Sequence, residues 1–385
     1  MSLNLRVPLA AVFCVCSLFS EAALAAGFLP PQHYGVGKAP YGIVLADFNH
    51  DGKTDIATSN LKSHDVSILL GNGDGTFQAS KTYRAAPDTR TSTIDLVAGD
   101  FNEDGNLDLV VTLGDSFQYQ KSASLLLGRG DGSFAAPQVF YTGAYADPVV
   151  SADFNGDKHL DLFFGGSEGS SVLLGNGDGT FQAPVIYSTG GPSRITGVAL
   201  ADFNGDGNVD VAVANADVAS IGILLGQGDG TFAPVKTLQV ATWPYYIAAA
   251  DYNHDGKTDL ALSFEFAPNA GAIDIYLNNG DATFTLGSTY WVGTSALYMA
   301  PADLDGDGNV DLAIGAFKTG SRQSGSVGVL YGVGDGTFEG PLFYNAAPNV
   351  WAVGVGQFNT DQLPDIAVTV PGKDAVAVLI NNGAN

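Results

Sequence analysis

The chain has 385 residues, of which 45% are apolar and only 15% are charged. This apolar share is too high for an intrinsically disordered acidic chain, so the sequence predicts a folded protein. The 40 acidic and 16 basic residues give a formal net charge of -24, which argues against a nucleic-acid partner because nucleic acids select basic surfaces.

The first 26 residues are predicted to be a signal peptide. Arg6 precedes an apolar stretch at 7–19, and the small residues at 23–25 fit the cleavage rule, so we expect the cut after Ala25 or close to it. A buried first helix is the alternative, but the basic start and the small-residue segment favour export. We therefore expect a secreted, periplasmic or extracellular protein without a transmembrane segment, because no later apolar run reaches about 18 residues.

Both cysteines, Cys14 and Cys16, lie within the predicted signal peptide. The mature chain therefore has neither a disulfide framework nor a cysteine nucleophile. An exported protein without disulfides needs another means of stabilisation.

A nine-residue acidic motif recurs seven times, at intervals of 49 to 54 residues. Its copies are DFNHDGKTD at 47–55, DFNEDGNLD at 100–108, DFNGDKHLD at 153–161, DFNGDGNVD at 202–210, DYNHDGKTD at 251–259, DLDGDGNVD at 303–311 and QFNTDQLPD at 357–365. A glycine-rich motif follows the first six copies, as LLGNGDGTF at 69–77, LLGRGDGSF at 126–134, LLGNGDGTF at 173–181, LLGQGDGTF at 224–232, YLNNGDATF at 276–284 and LYGVGDGTF at 330–338. The sequence is therefore a sevenfold repeat.

Each repeat is predicted to contain four short strands. In the fourth repeat these are 195–203, 210–215, 221–225 and 231–238, which are rich in Val, Ile, Leu, Phe and Ala and are separated by turn residues. A period near 50 residues with four strands per unit is typical of a β-propeller blade. Residues 27–385 are thus predicted to form one all-β domain, a seven-bladed propeller with four antiparallel strands per blade.

The last repeat lacks its final strand, because the chain stops at Asn385 shortly after LINNGAN begins. Residues 28–34, FLPPQHY, resemble FQASKTY at 77–83 and FQAPVIY at 181–187. We therefore expect the N-terminal strand to complete the last blade and close the ring. An open solenoid would instead need capping repeats.

The acidic motif, D-x-[DN]-x-D-G-x-x-D, places oxygen ligands at alternate positions. Its start resembles an EF-hand loop, in which positions 1, 3 and 5 supply side chains, position 6 is glycine and position 7 supplies a backbone carbonyl. The last carboxylate comes at position 9 and a strand follows, so the motif predicts a strand–loop–strand site. Such oxygen ligands favour Ca²⁺. Asx turns without metal are the alternative, but six copies with one carboxylate spacing favour metal binding.

Six loops keep the ligand pattern, so we expect about six structural Ca²⁺ ions, which would offset about half of the negative charge. The predicted ligands are Asp47, Asn49, Asp51, Lys53, Asp55; Asp100, Asn102, Asp104, Asn106, Asp108; Asp153, Asn155, Asp157, His159, Asp161; Asp202, Asn204, Asp206, Asn208, Asp210; Asp251, Asn253, Asp255, Lys257, Asp259; and Asp303, Asp305, Asp307, Asn309, Asp311. The third loop has Lys158 instead of glycine and is expected to bind more weakly. The seventh, with Gln357, Gln362 and Pro364, is expected to be empty.

The aspartates of the glycine-rich motif are interpreted as turn residues and not as ligands, because their Gly-flanked hairpins need positive φ angles. These residues are Asp74, Asp131, Asp178, Asp229, Asp281 and Asp335.

The two motifs resemble the FG-GAP/VCBS repeats of integrin α-subunit propellers and of many exported bacterial proteins. The resemblance covers essentially all of residues 28–385 and implies calcium loops between the first and second strands of each blade. It does not fix a function, because members include adhesion receptors, lectins, and propeller domains of polysaccharide lyases and dehydratases.

The face opposite the acidic loops is predicted to hold the variable connections, and aromatic residues collect there. We expect a ligand site on this variable face, because aromatic and arginine side chains anchor interfaces. The candidate ligand-binding residues are Tyr41, Trp243, Tyr245, Trp291, Tyr298 and Trp351, with Tyr145 in an equivalent stretch. Basic residues collect there too, namely Lys62, Arg84, Arg90, Lys121, Arg194, Lys318, Arg322 and Lys373. The alternative is that the rings only plug grooves between blades.

No catalytic residue is assigned from the sequence. Ser167 lies in GGSEG, which matches G-x-S-x-G but falls between two predicted strands and not at a strand-to-helix elbow. Glu168, Glu265 and Asp115 are possible acids or bases that nothing in the sequence pairs. No two histidines have metal-ligand spacing; they are His33, His50, His64, His159 and His254.

These observations predict an exported, calcium-binding propeller that acts as a binding or adhesion module for a glycan or a protein. The alternative is a carbohydrate-active enzyme of lyase or dehydratase type, with its site at the central channel. A purely structural module in a larger assembly is a third reading. A convergent cluster of His, Lys, Tyr or carboxylate side chains at the channel mouth would favour the enzyme. A shallow aromatic groove between blades would favour a lectin-like module.

Overall fold

The computed structural model describes residues 27–86, 88, 91–114, 121–267, 270–292, 295–317, 326–347 and 349–383. The predicted signal peptide lies outside these residues, as do five other residues named above: Arg90, Asp115, Lys318, Arg322 and Asn385. The side chain of Glu265 is not described either. Within the described ranges, no helix has the length and apolar character needed to cross a membrane.

The chain forms seven antiparallel sheets of four strands each, as the sequence predicts. The first strand, β1 (Gln32–Gly35), belongs to the last blade. The next three blades consist of β2 (Pro40–Ala46), β3 (Asp55–Asn60), β4 (Asp65–Leu69), β5 (Lys81–Arg84); β6 (Ser92–Gly99), β7 (Asp108–Gly114), β8 (Ser122–Leu126), β9 (Gln138–Tyr141); and β10 (Val149–Ala152), β11 (Asp161–Phe164), β12 (Ser170–Leu173), β13 (Val185–Tyr187).

The remaining strands continue the same order around the ring. They are β14 (Ile195–Ala201), β15 (Asp210–Asn215), β16 (Ser220–Leu224), β17 (Lys236–Gln239); β18 (Pro244–Ala250), β19 (Asp259–Ala267), β20 (Ala270–Asn278), β21 (Phe284–Trp291); β22 (Ser295–Ala302), β23 (Asp311–Phe317), β24 (Ser326–Gly332), β25 (Phe338–Asn345); and β26 (Val353–Gly356), β27 (Asp365–Val370), β28 (Ala375–Leu379). A single 3₁₀ turn, Pro371–Lys373, joins β27 to β28.

The seventh blade is closed by the N-terminal strand, as predicted. β1 pairs antiparallel with β28, from Gln32 opposite Val378 to Gly35 opposite Ala375. Phe28 forms an isolated bridge with Asn381 ahead of this strand. The first and last segments of the propeller therefore share one sheet, and the ring has no open end.

Burial changes from the channel outwards. The first strand of each blade is half-buried along the channel, the second and third are buried, and the fourth is exposed at the rim; β2, β3 and β5 illustrate this order. Seven apolar cores lie between neighbouring blades, because both faces of the middle strands pack against another sheet.

The two sequence motifs meet in these cores. Phe48 of the first acidic motif packs edge-on against Phe134 of the second blade's glycine-rich motif, with ring centroids 5.7 Å apart. Five further inter-blade pairs repeat this contact: Phe101–Phe181, Phe154–Phe232, Phe203–Phe284, Tyr252–Phe338 and Phe358–Phe77. Each motif therefore joins its blade to a neighbour, which accounts for their joint recurrence.

Candidate functional site

The acidic loops are held in shape by their own carboxylates. In the first loop, the Asp47 carboxylate accepts hydrogen bonds from the backbone N–H groups of Asn49, Asp51 and Gly52. Asp51 in turn accepts one from the N–H of Lys53 at 3.0 Å. These carboxylates are partly exposed, so their remaining lone pairs are accessible from the solvent.

The ninth-position aspartate of each loop is buried and ties the loop to its blade. The Asp55 carboxylate accepts hydrogen bonds from the backbone N–H of Phe48 at 2.9 Å and from that of Gly71 at 2.8 Å. The same two bonds occur in the other six blades, at Asp108, Asp161, Asp210, Asp259, Asp311 and Asp365. Burial raises the pKa of Asp55 to about 6 and that of Asp311 to about 7.

A second set of hydrogen bonds joins six of the blades to the blade before them. The N–H of Gly132, in the second glycine-rich hairpin, donates to the carbonyl oxygen of Phe48 at 3.0 Å. Five other hairpins repeat this contact, at Gly75–Phe358, Gly179–Phe101, Gly230–Phe154, Ala282–Phe203 and Gly336–Tyr252. The hairpin aspartates behave as turn residues, and Asp74 accepts hydrogen bonds from the N–H and hydroxyl of Thr76.

The donor set of these loops fits a hard cation best in the sixth loop. There, carboxylate oxygens of Asp303, Asp305 and Asp311 lie within 4.8 Å of one another. Two oxygens bound to one Ca²⁺ ion at about 2.4 Å are at most about 5 Å apart, so these three oxygens satisfy that limit. Among the described residues this is the one group of three or more acidic, histidine or cysteine side chains that meets this distance limit. The other loops carry asparagine at the third position.

Neighbouring acidic loops also contact each other through their fourth and seventh positions. The Nε2 atom of His50 lies 3.1 Å from Oδ1 of Asn106, and Nε2 of His254 lies 2.8 Å from Oδ1 of Asn309. In the same arrangement Glu103 pairs with His159 of the third loop. Three histidines therefore join adjacent loops: His50 and His254, to which the sequence gave no role, and His159, which was predicted as a ligand of the third loop.

The third and seventh loops keep their backbone shape despite their altered residues. Lys158 takes the sixth position with a φ of 75° and donates its N–H to Asp153 at 2.8 Å, as glycine does elsewhere. Gln362 of the seventh loop has a φ of 72°. Side chains with a Cβ adopt this left-handed region at a cost of about 1–2 kcal/mol. The seventh loop lacks the first carboxylate but keeps Asp365.

On the opposite face, the first strands of five blades carry a β-bulge near their start. The register of pairing shifts in β2, β6, β14, β18 and β22. In four of them the residues left out of the ladder include a polar or aromatic side chain, namely Tyr41, Asp95, Thr196 and Tyr245. All four line one cavity of about 280 Å³. Bulges redirect side chains next to functional sites, and here they turn them towards the channel.

This cavity, the channel-mouth pocket, is lined by residues of all seven blades. Tyr41, Asp95, Asp147, Arg194, Tyr245 and Tyr298 represent blades one to six, and Ala352 and Val353 represent the seventh. Tyr145 and Tyr246 complete its aromatic wall. Because the lining residues lie where the first strands start, the pocket occupies the centre of the variable face.

Four aromatic rings form a continuous row along one side of the pocket. The ring of Tyr41 lies 5.0 Å from that of Trp351 and 6.5 Å from that of Tyr298, measured between centroids. Tyr298 lies 4.9 Å from Tyr246. Burial raises the pKa of the Tyr246 hydroxyl to about 12 and also raises the pKa of Tyr41 and Tyr298. These hydroxyls therefore stay protonated at neutral pH and can donate hydrogen bonds.

Two half-buried carboxyl groups line the pocket, those of Asp95 and Asp147. Asp95 accepts a hydrogen bond from the N–H of Val149 at 3.1 Å, and burial raises its pKa to about 6. Asp147 accepts no hydrogen bond from the described residues; burial and the nearby charge of Asp95 raise its pKa well above 3.8. Arg194, which is exposed at the rim, acts against this rise.

The other predicted aromatic candidates lie away from the pocket. Trp243 is 69% exposed, and Trp291, the last residue of an outer strand, is 61% exposed. Ser167 and Glu168 line a separate small cavity with Lys121 and Tyr145, and the Lys121 ammonium pairs with Glu168 at 3.2 Å. The residues that line these two cavities include no histidine. Of the six predicted ligand-face residues, the structure thus brings Tyr41, Tyr245 and Tyr298 into one pocket, with Trp351 against Tyr41.

Sequence reasoning missed four pocket residues, Asp95, Asp147, Thr196 and Tyr246. Each lies five or six residues before the first aspartate of its acidic loop. The residues that were found occupy the same two positions in their own repeats, namely Tyr41, Tyr245 and Tyr298. An alignment of the seven repeats on the acidic motif, read at those two positions, would have identified the whole set.

The fold and these two faces define a class of protein: a seven-bladed propeller whose repeats each carry an acidic loop between the first and second strands. The model of the FG-GAP-like repeat matches residues 47–111, 153–213, 202–262, 265–314 and 303–368. The chain therefore belongs to the FG-GAP-like repeat family. A search of curated proteins gives no match.

Solved structures share the fold at low sequence identity. The BBS1N chain, from a complex with ARL6DN soaked with lead, is 12% identical with a TM-score of 0.62, over 92% of this chain and 96% of that one. An Agrocybe aegerita lectin with specific recognition of non-reducing terminal N-acetylglucosamine is 19% identical with a TM-score of 0.55, over 94% and 96%. A Desulfotomaculum acetoxidans protein of unknown function is 14% identical with a TM-score of 0.56, over 87% and 90%.

Proposed function

We propose that this protein is an exported, calcium-stabilised binding module that holds the end of a glycan in the channel-mouth pocket. The observation that carries the proposal is the set of bulges that turns Tyr41, Asp95, Thr196 and Tyr245 into one cavity. Aromatic faces pack against the C–H groups of sugar rings, and carboxyl and hydroxyl groups bind sugar hydroxyls. The cavity volume of about 280 Å³ is at the lower end of small-molecule pockets, which suits a terminal residue better than a chain interior.

Calcium has a structural role in this proposal. The acidic loops lie on the face opposite the pocket, and each ion would neutralise three or four carboxyl groups that are otherwise crowded together. A bound cation would also offset the cost of keeping the buried ninth-position carboxylate ionised. The similarity in fold to a lectin is consistent with a binding role, although the fold alone does not assign the ligand.

An enzyme acting on carbohydrate is the second candidate, and the same pocket favours it. Tyrosines and two carboxyl groups converge at the channel mouth, which is the arrangement that an active site there would need. Binding is nevertheless better supported, because the raised pKa of Tyr41 and Tyr298 keeps both hydroxyls protonated at neutral pH, so neither is available as a general base. The pocket also holds neither histidine nor lysine among its lining residues.

A glycan array tests the proposal with a matched pair of variants. Wild type should bind a restricted set of glycans, Tyr245→Ala should lose that binding, and Trp243→Ala should retain it. The two residues are close in sequence, but Tyr245 lines the pocket whereas Trp243 projects into solvent. Equal binding by both variants would contradict the proposed site. Release of reducing or unsaturated sugar ends from a bound polysaccharide would favour the enzyme.

A further inference from the structure

We propose that the channel-mouth pocket selects a glycan end that carries a free, positively charged amino group. This inference rests on the proposed function and narrows its ligand. The feature behind it is Asp147, a carboxyl group that lines the pocket and accepts no hydrogen bond from the described residues. Asp95, the second carboxyl of the pocket, lies close enough for its charge to act on Asp147.

Among the described residues that line the pocket, no buried cation balances these two carboxyl groups. Arg194 is the one basic residue in the lining, and its side chain is exposed at the rim. Both carboxyls have a raised pKa, as expected when two acids share a site of reduced solvation. A ligand ammonium placed between them would stabilise both ionised forms and provide Asp147 with the hydrogen-bond donor that it lacks.

The aromatic wall adds to this preference for an organic cation. Tyr41, Tyr246 and Tyr298 form a row of packed rings beside the carboxyls. The faces of such rings attract ammonium groups, and the attraction grows as the site is desolvated. A bare divalent ion fits less well, because it needs six or more close oxygens whereas the pocket offers two carboxyl groups in a cavity of about 280 Å³.

Calorimetric titration of the whole calcium-loaded protein tests the inference with four probes: glucosamine, N-acetylglucosamine, glucose and cyclohexylammonium. The titrations are run where the glucosamine amino group is protonated. Glucosamine should bind at least about tenfold more tightly than the two neutral sugars. Asp147→Asn should abolish that preference, and Glu168→Gln, which removes an exposed carboxylate paired with Lys121 on the same face, should retain it.

The outcomes separate this inference from the proposed function. Equal affinity for glucosamine and glucose would overturn the amino-group preference and leave glycan binding in place. Tight binding of cyclohexylammonium with no binding of any sugar would overturn the glycan assignment, and no binding of any probe would overturn both. Retained preference in Asp147→Asn would overturn the role of that carboxyl. If Asp147→Asn does not fold, as judged by its melting curve, Asp95→Asn provides the same test.

Discussion

Asn381 donates its side-chain amide to the backbone carbonyl of Leu304 at 2.6 Å, and this bond links the seventh blade to the sixth. Elsewhere in the ring, a backbone N–H of the glycine-rich hairpin makes the equivalent inter-blade bond. The fifth blade has both kinds of bond, because the side-chain amide of Asn278 also donates to the carbonyl of Phe203 at 2.9 Å. In the seventh blade, Asn381 makes the contact without a hairpin N–H among the described residues. Asn381 also donates its backbone N–H to Asp365 at 2.8 Å. One residue near the end of the described chain therefore joins the last blade both to its own loop and to its neighbour.

Asn381→Ala should lower the free energy of unfolding by about 1–3 kcal/mol, because the carbonyl of Leu304 would lose its buried donor. The measurement is urea unfolding followed by tryptophan fluorescence. Asn279→Ala is the matched control, since Asn279 is exposed and its side chain bonds to the hydroxyls of Thr283 and Thr285 and not to a buried carbonyl. Equal effects of the two substitutions would contradict a special role for the closing bond.

Asp365→Ala should destabilise the protein by about 2–5 kcal/mol, to the same extent with and without calcium. Its carboxylate accepts hydrogen bonds from the backbone N–H groups of Phe358 and Asn381. Both N–H groups would be left without an acceptor in a buried site. Asp361→Asn, in the exposed part of the same loop, serves as control and should change stability little. A loss seen only in the presence of calcium would show instead that the seventh loop binds metal.

Removal of calcium with EDTA should lower the melting temperature by several degrees, and added Ca²⁺ should restore it. The reason is mass action, since ions that bind only the folded state stabilise it, by about 2.7 kcal/mol per site at a hundredfold excess over Kd. Calcium content measured on the desalted protein should approach six ions. Asp303→Asn should remove one of them, because this substitution alters the sixth-loop cluster. An unchanged melting temperature in EDTA would refute structural calcium.

Asp95→Asn should raise the melting temperature at pH 8 and leave it close to that of wild type at pH 4. The pKa of Asp95 is about 6 in the folded protein, above its ordinary 3.8, so the folded state binds this proton more tightly than the unfolded chain does. The free energy of unfolding therefore falls as pH rises from about 4 to about 6. At about 1.4 kcal/mol per pKa unit, the gain at pH 8 is at most about 3 kcal/mol.

Two controls accompany that measurement. Glu339→Gln removes an exposed carboxylate of an outer strand and should change the melting temperature at neither pH. Asp95→Asn keeps an oxygen that can accept the N–H of Val149, so lost hydrogen bonding should be small. The same shift at both pH values would show that ionisation of Asp95 is not the cause.

Replacement of the three tryptophans by alanine separates the pocket from the rim. Trp243→Ala and Trp291→Ala should leave the melting temperature nearly unchanged, because these side chains are 69% and 61% exposed. Trp351→Ala should lower it and weaken glycan binding, because its ring supports Tyr41 at 5.0 Å. Strong glycan binding by the triple variant would refute the aromatic part of the proposed site.

The sequence by itself determined the architecture of this protein. Seven acidic motifs spaced about 50 residues apart predict seven blades, and the likeness of residues 28–34 to the start of the other outer strands predicts the closing strand. These features can be predicted from the sequence because the same local structural signals recur in every repeat. The origin of the net charge of -24 is also evident from the sequence, because many of the acidic residues belong to the acidic motifs.

The tertiary structure alone decided which residues share a site. Asp95, Asp147, Thr196 and Tyr246 come from four different blades. They share two positions of the repeat, but only the structure shows that these positions face one cavity. They converge because the first strand of each blade starts at the channel mouth, and because bulges turn Asp95 and Thr196 out of the ladder. The structure also shows that the ninth-position aspartate of every loop accepts hydrogen bonds from backbone N–H groups. Asp365 in the altered seventh loop does so too. Burial and ring closure are long-range properties, so carboxylates that look alike in sequence differ in environment and in pKa.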